Sequence, residues 1–403
     1  MKYIDLHKHL KAIENYEDDF IPIDDLSVMR NYSFHSNYRF LLPGGLGNND
    51  DYEYIPGLPE DYEPDVIQEM LNKKDAEISE NIDFRYHIIL PAGEAKSKGI
   101  ILLFHGFNEK TWYKYLPWAK YISEKTGKAI VLFPIAFHMN RAPVEWSDAR
   151  AMYQVSAQRK QRHPDLISSS LSNVAISTRL HNKPQRFLWS GLQSYYDVID
   201  LVETIKNGDH PVIDKDATID FFTYSIGAFL GQILMMTNKN GYFSNSRYAA
   251  FCGGVVFNRL SPVSKFILDS EANVSLYSFV VEHLESHFKR DEVLRHYMTN
   301  HPEGNNFRYM LNYRTETALR ESLFRNMSDR FYAIALEKDT VVPPYEVINT
   351  LQGTRRDIPI PVEILDYPYD YIHEDPFPSL TKIADEVDEQ FRRTFDKISD
   401  FLK

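Results

Sequence analysis

Ser225, Asp339 and His373 are the residues in this chain whose types, order and surroundings best suit bond-breaking chemistry. A serine hydroxyl becomes a nucleophile when an imidazole takes its proton and a carboxylate orients and stabilises that imidazole. Ser225 lies in Thr223-Tyr224-Ser225-Ile226-Gly227, between an apolar strand-like run at 219–223 and a helix-like stretch at 226–236. Asp339 lies just after the apolar run 331–336, and His373 lies in a loop after the last strand-like run, 362–365. Glu337 competes with Asp339 for the acid but falls at the strand end. His283-Leu284-Glu285-Ser286-His287 puts two imidazoles on one helical face, with His296 further along. It fits neither H-E-x-x-H nor H-x-x-E-H, because Glu285 is misplaced for both, and a solvated helix with no metal is expected there.

These residues need elements to hold them. Residues 100–104, Ile-Ile-Leu-Leu-Phe, form a continuous apolar run of the kind buried on both faces of a parallel sheet. His105-Gly106 follows. Next come Trp112, Tyr115, Leu116, Ala119 and Ile122 at helical spacing, stopped by Gly127, and then a buried strand at 129–134. Ser190-Gly191-Leu192-Gln193 has capping-box spacing and predicts a helix from there through Val198, Ile199, Val202 and Ile205. Strand 219–223, helix 226–236, a strand around Cys252 (249–257), strand 331–336, a helix near 345–351 and strand 362–365 continue the alternation. A last helix carries Leu380, Ile383, Val387, Phe391, Phe395 and Ile398. Strands alternating with helices predict an α/β fold with a mostly parallel central sheet and helices on both faces.

Residues 1–81 show no sustained period and are expected as an N-terminal extension wrapping a domain at 82–403. Gly44-Gly45-Leu46-Gly47 is a turn, since the Asn-Asn-Asp-Asp that follows brings negative charge and no helix start. Residues 138–187 and 258–329 interrupt the alternation and are expected as insertions, a lid or cap over one edge of the sheet.

Composition narrows the function. Hydrophobic residues make up 43% of the 403 residues and charged residues 25%, so a large core is available. The net charge of -12 argues against a nucleic-acid partner, because phosphate backbones call for clustered cations. No run approaches the ~20 apolar residues that span a bilayer. A charged N-terminus argues against a signal peptide, so a cytoplasmic location is expected. The single cysteine, Cys252, excludes an intramolecular disulfide and reads as a packed core thiol.

Thr223-Tyr224-Ser225-Ile226-Gly227 resembles the nucleophile elbow of the α/β-hydrolase superfamily, with Thr223 in place of the first glycine. That elbow requires a turn tight enough to push the serine out of the sheet, and Gly227, Ala228 and Gly231 supply small neighbours on the helix side. His105-Gly106-Phe107 resembles the superfamily's oxyanion loop. Asp339-Thr340-Val341-Val342-Pro343 resembles its acid turn, and His373 falls where its base lies. The order Ser, Asp, His matches this fold, and the resemblance covers 82–403 apart from the insertions.

It implies a serine hydrolase that cleaves an ester, thioester or amide through an acyl-enzyme. Ser225 is then the nucleophile, His373 the base and Asp339 the orienting acid, with the Phe107 and Ile226 N–H groups as oxyanion donors. A small-molecule ester-type substrate and no cofactor are implied. A catalytically silent binding fold and an acyltransferase with the same triad are the alternatives. His105, Tyr224, His138 and Arg141 are the candidates for lining the pocket, the last two at its mouth.

Overall fold

The computed structural model describes residues 1–48, 67, 69–70, 73–93 and 96–403. Among them nine strands form one sheet: β1 (Phe20–Pro22), β2 (Ser27–His35), β3 (Asp83–Pro91), β4 (Ser97–Phe104), β5 (Ala129–Leu132), β6 (Ile213–Tyr224), β7 (Tyr248–Phe251), β8 (Phe331–Leu336) and β9 (Val362–Leu365). Their spatial order is β1-β2-β3-β5-β4-β6-β7-β8-β9. β1 and β3 run against the other strands, so the sheet is mostly parallel. This is the α/β-hydrolase arrangement that the sequence resembles.

The alternation of side chains along each strand feeds two cores. Ile100, Leu102 and Phe104 of β4, with Phe221 of β6 and Ala333 of β8, belong to one. Ile101, Leu103, Phe222 and Ile334 belong to the other. Helices Arg186–Lys206 and Ile226–Thr237 cover the first face. Helices Tyr3–Ile13, Tyr115–Thr126 and Ala384–Leu402 cover the second. In the last of these, Val387, Phe391, Phe395, Ile398 and Leu402 recur every three or four residues and are all buried. Gly127 ends its helix with φ 71, as the sequence suggests.

Several elements differ from expectation. The described part of residues 1–81 builds into the domain rather than wrapping it: helix Tyr3–Ile13 packs on two helices, and β2 pairs with β3 along its whole length. β2 escapes pattern reading because its buried face carries Ser27 and Asn31 beside Met29. Asn31 is satisfied there by the carbonyls of Asn15 and Asp18. Gly45 and Asn48 bridge across the expected turn, whereas Asn49, Asp50 and Asp51 lie outside the described residues. The long helix begins at Arg186, so Ser190 is interior, its hydroxyl donating to the Phe187 carbonyl rather than capping. β7 stops at Phe251 because Cys252 turns to φ 48. The last helix starts at Ala384, leaving Leu380 and Ile383 before it.

The two insertions fold as one helical layer. Helix Val174–Asn182 of the first packs against helix Ser270–Tyr277 of the second. Arg159 donates to both carboxylate oxygens of Asp269 at 2.6 and 2.8 Å, with both side chains buried. Asp269 also caps its own helix through Ala272 N–H. Asp269→Ala leaves the Arg159 guanidinium buried without its carboxylate, so stability should fall by about 3–5 kcal/mol. The midpoint of urea unfolding reads this, and a loss under about 1 kcal/mol would show that the pair does not hold the insertions together.

Candidate active site

The strand order reverses at β4, whose neighbours are β5 on one side and β6 on the other. Open parallel sheets gather ligands outside the carboxyl ends of the strands at such a switch point. Phe104 at the end of β4 stands in register with Thr223 near the end of β6. The loops carrying Phe107 and Ser225 therefore leave the sheet side by side.

Ser225 takes φ 54 and ψ -123 between β6 and the helix that starts at Ile226. An L-residue adopts this conformation only under constraint. Here the constraint is close backbone approach. A Cβ on Gly227 would lie 2.5 Å from the Phe104 carbonyl oxygen and 2.7 Å from that of His105. One on Gly253 would lie 2.6 Å from the Ala228 Cβ and 2.9 Å from the Ser225 carbonyl oxygen. Thr223 fits where a glycine is usual because Gly231 faces it, with only 2.8 Å between the Thr223 methyl and a Cβ at that position.

The loop histidine closes the constellation. His373 Nδ1 lies 2.7 Å from Asp339 Oδ2, and His373 Nε2 lies 2.8 Å from Ser225 Oγ. Asp339 Oδ1 accepts the N–H groups of Val341 and Val342, both at 2.9 Å, which fixes the carboxylate. Asp339 and His373 are buried, whereas Glu337 is exposed. The Cys252 thiol lies beside Asp339; burial first, and then that carboxylate, push it far above its ordinary range, so it stays S–H. Asp375 N–H donates to Ile372 C=O, a tight turn around His373.

Phe107 and Ile226 share the wall of one cleft. Ile226 opens its helix, so its N–H has no intrahelical acceptor. The loop before Phe107 is held by Gly106 N–H donating to Tyr115 Oη at 2.8 Å, and by Tyr115 Oη donating to Glu109 at 2.9 Å. Lys114 donates to Glu109 and to the Glu374 carbonyl, tying this loop to the one bearing His373. Asn108, at φ 59, donates to the Ser172 carbonyl at 2.8 Å and the Phe266 carbonyl at 2.6 Å, one in each insertion. Ser264 Oγ donates to Glu374.

The other expected pocket residues divide. His138 does line the cleft with Phe107. His105 does not act there. Its Nδ1 binds the Gly106 carbonyl and its Nε2 accepts Ile135 N–H, so it pins two loops together. Tyr224 lies beneath the site, stacked on the His373 ring and donating to the His373 carbonyl. Arg141 is fully buried away from any mouth, paired with Asp197 at 2.7 Å and bound to Asn81 and the Pro134 carbonyl, because its charge finds a carboxylate and further acceptors in the core. His287 pairs with Asp291 and His296 with His301, and among the described residues no cluster of three or more His, Cys, Asp or Glu could hold a metal. Among the described residues no helix is long and apolar enough to cross a membrane.

Reading of motifs missed Gly253, Asn108 and the Glu109–Lys114–Tyr115 clamp. Cys252-Gly253-Gly254 after a buried strand is a signal of close backbone approach. The clamp has no comparable signal, since its partners are brought together only by the fold.

Two outcomes follow from this geometry. Ser225→Gly relieves the φ 54 strain that Ser225→Ala retains, so the Gly variant should be the more stable of the two by about 1 kcal/mol, read as a higher thermal midpoint. His138 is pushed down to about 4 from 6.5 by burial, and His105 is pushed down by burial as well. A histidine kept neutral in the fold takes its proton first in the unfolded chain. Its full contribution is present above about pH 6.5 and is lost as the pH falls towards 4, with His138 contributing about 3 kcal/mol over that window. Urea midpoints measured from pH 7 to 4 should fall, and His138→Phe should flatten the slope.

The family of unknown function DUF6051 matches residues 1–403. Among curated proteins none matches the sequence. Among solved structures, the esterase Est22 is similar at 12% identity over 99% of this chain and 87% of its own, with a TM-score of 0.46. Carboxyl esterase 2 from the mycorrhizal fungus Tuber melanosporum is similar at 10% identity over 80% and 82%, with a TM-score of 0.44. A thermostable esterase from Pseudomonas putida ECU1011 is similar at 9% identity over 99% and 88%, with a TM-score of 0.42. With a match running from its first residue to its last, the chain belongs to the DUF6051 family.

Proposed function

We propose that this protein is a serine hydrolase that cleaves an ester, thioester or amide of a small molecule through an acyl-enzyme. The reading rests on one observation, the unbroken hydrogen-bond chain from Ser225 through His373 to Asp339 at 2.8 and 2.7 Å. Asp339, already satisfied on its other oxygen by two backbone N–H groups, fixes a proton on His373 Nδ1 and leaves the Nε2 lone pair facing the serine hydroxyl.

In the first step Ser225 Oγ bonds to the substrate carbonyl carbon while its proton passes to His373 Nε2. The carbonyl π electrons move to oxygen, and the Phe107 and Ile226 N–H groups donate to that oxyanion. Collapse breaks the bond to the leaving group, which takes the proton from His373. Water then repeats the sequence on the acyl-enzyme, returning the hydroxyl to Ser225 and releasing the acid. Asp339 stays ionised throughout and stabilises the imidazolium.

The Ser225→Ala variant tests this. Turnover of p-nitrophenyl acetate should fall by at least ~10³-fold, since triad members act as a unit. The folded state should shift by only about 0.5 kcal/mol, because no core volume is removed. A fluorophosphonate probe should label wild type at Ser225, as read by peptide mass spectrometry. Labelling of another serine, or full activity in the Ala variant, overturns the mechanism.

A further inference from the structure

One wall of a cleft holds both Phe107 and Ile226, the residue that follows Ser225. One side of it is a face of helix Ile226–Thr237, where Ile226, Phe229 and Leu230 fall at three- and four-residue spacing. Phe187 of helix Arg186–Lys206 faces them, its ring 6.2 Å from that of Phe229. Another part of the wall comes from the second insertion. Phe307 of helix Pro302–Tyr309 lies 5.8 Å ring to ring from Phe229 and presses on the helix backbone at Gly191, where a Cβ would be 2.8 Å from its ring.

No Lys, Arg, Asp or Glu lines this cleft. Its hydroxyls are occupied: Ser190 donates to the Phe187 carbonyl, and Ser194 donates to the Ser190 carbonyl while accepting Ala136 N–H. The imidazole of His138 is bound at Nδ1 by the Ala136 carbonyl. The wall is apolar apart from these hydroxyls and His138 Nε2, which is buried without a hydrogen-bond partner, so an uncharged occupant gains by burial and a charged one would lose its hydration with no ion partner.

We propose that this cleft is the acyl-chain site, taking an uncharged, unbranched acyl group, and that Phe307 against Gly191 sets how long the chain can be. The proposal rests on the serine-hydrolase reading and assigns it a substrate class. Continuity with the nucleophile decides which half of the ester enters: Ile226 and Phe107, the two residues whose N–H groups meet the carbonyl oxygen, also begin the cleft wall. The acyl side of the carbonyl is therefore led into it, and the leaving group is left outside. From Ile226 to Leu230 the helix advances ~6 Å. An extended chain advances at most ~3.6 Å per three bonds, so acyl groups of about four to six carbons fill that length. Longer chains meet the Phe307 ring.

The test is a series of p-nitrophenyl esters from acetate to dodecanoate, with the hemisuccinate as a charged member. Wild type should show kcat/KM highest at butanoate to hexanoate, at least tenfold lower at dodecanoate, and at least tenfold lower for the hemisuccinate than for butanoate. Phe307→Ala should move the optimum to longer chains by two or more carbons. Leu230→Phe fills the cleft from the other side and should move the optimum to acetate, so the proposal stays open to refutation if the Phe307 variant fails to fold. Wild type that hydrolyses acetate and is labelled at Ser225 by fluorophosphonate, yet shows a flat chain-length profile, overturns the cleft assignment and leaves the hydrolase reading standing. Wild type that is neither labelled nor active on any ester overturns both.

Discussion

The backbone turn at Ser225 is the constraint around which the rest of the site is arranged. At φ 54 the residue stands outside the conformations that an L-amino acid adopts freely, and nothing local to the pentapeptide would hold it there. Three absent side chains make room for it: Gly227 lets the helix touch the end of β4, Gly231 admits Thr223, and Gly253 lets the chain after β7 pass behind the serine. The sheet supplies the other half of the constraint, because β4, β6 and β7 hold their carboxyl ends level through consecutive register pairs. Once the turn is fixed, Ser225 Oγ meets His373 Nε2, and the first N–H of the helix is left without an internal acceptor.

Much of this was legible in the sequence because the relevant signals are local. Five apolar residues in a row before His105-Gly106, a strand–Ser–helix junction at 225, and Asp339 and His373 after the last strands each depend on a few neighbouring residues. What failed to show depends on partners far along the chain. β2 buries Ser27 and Asn31, and the Asn31 side chain is satisfied only by Asn15, Asp18 and His87 elsewhere in the chain, so its alternation is blurred. Ser190 and Gln193 have capping spacing but sit inside a helix, with Gln193 spent on Asn81 and Ser36. Arg141 reads as a loop cation, yet Asp197, 56 residues away, draws it into the core. Long-range pairing of charges leaves no mark on a window of ten residues.

The two inserted segments are tied into the rest of the chain at particular points. They are joined to each other by Arg159 and Asp269, and to the site by Asn108, which follows Phe107 directly and is bonded to both. Ser264 reaches Glu374, the neighbour of His373. Each such bond contributes about 1 kcal/mol net, so the layer is fastened to the two loops that matter most by a few modest links. The long helix Arg186–Lys206 belongs to both systems, since it buries one side against the sheet and meets Phe307 on the other.

The sole cysteine has a practical consequence. Cys252 is inaccessible, lies at the carboxyl end of a central strand and is kept as a neutral thiol by its surroundings. Thiolate is the species that reacts with disulfide and maleimide reagents, so folded molecules are inert to them and each labelling event marks a molecule in which the middle of the sheet has opened. With one such group per chain, the labelling rate under native conditions reports the open population, or the opening rate where the reagent outpaces reclosing, with no introduced probe. The protein carries its own clock for the rarest motion of its core.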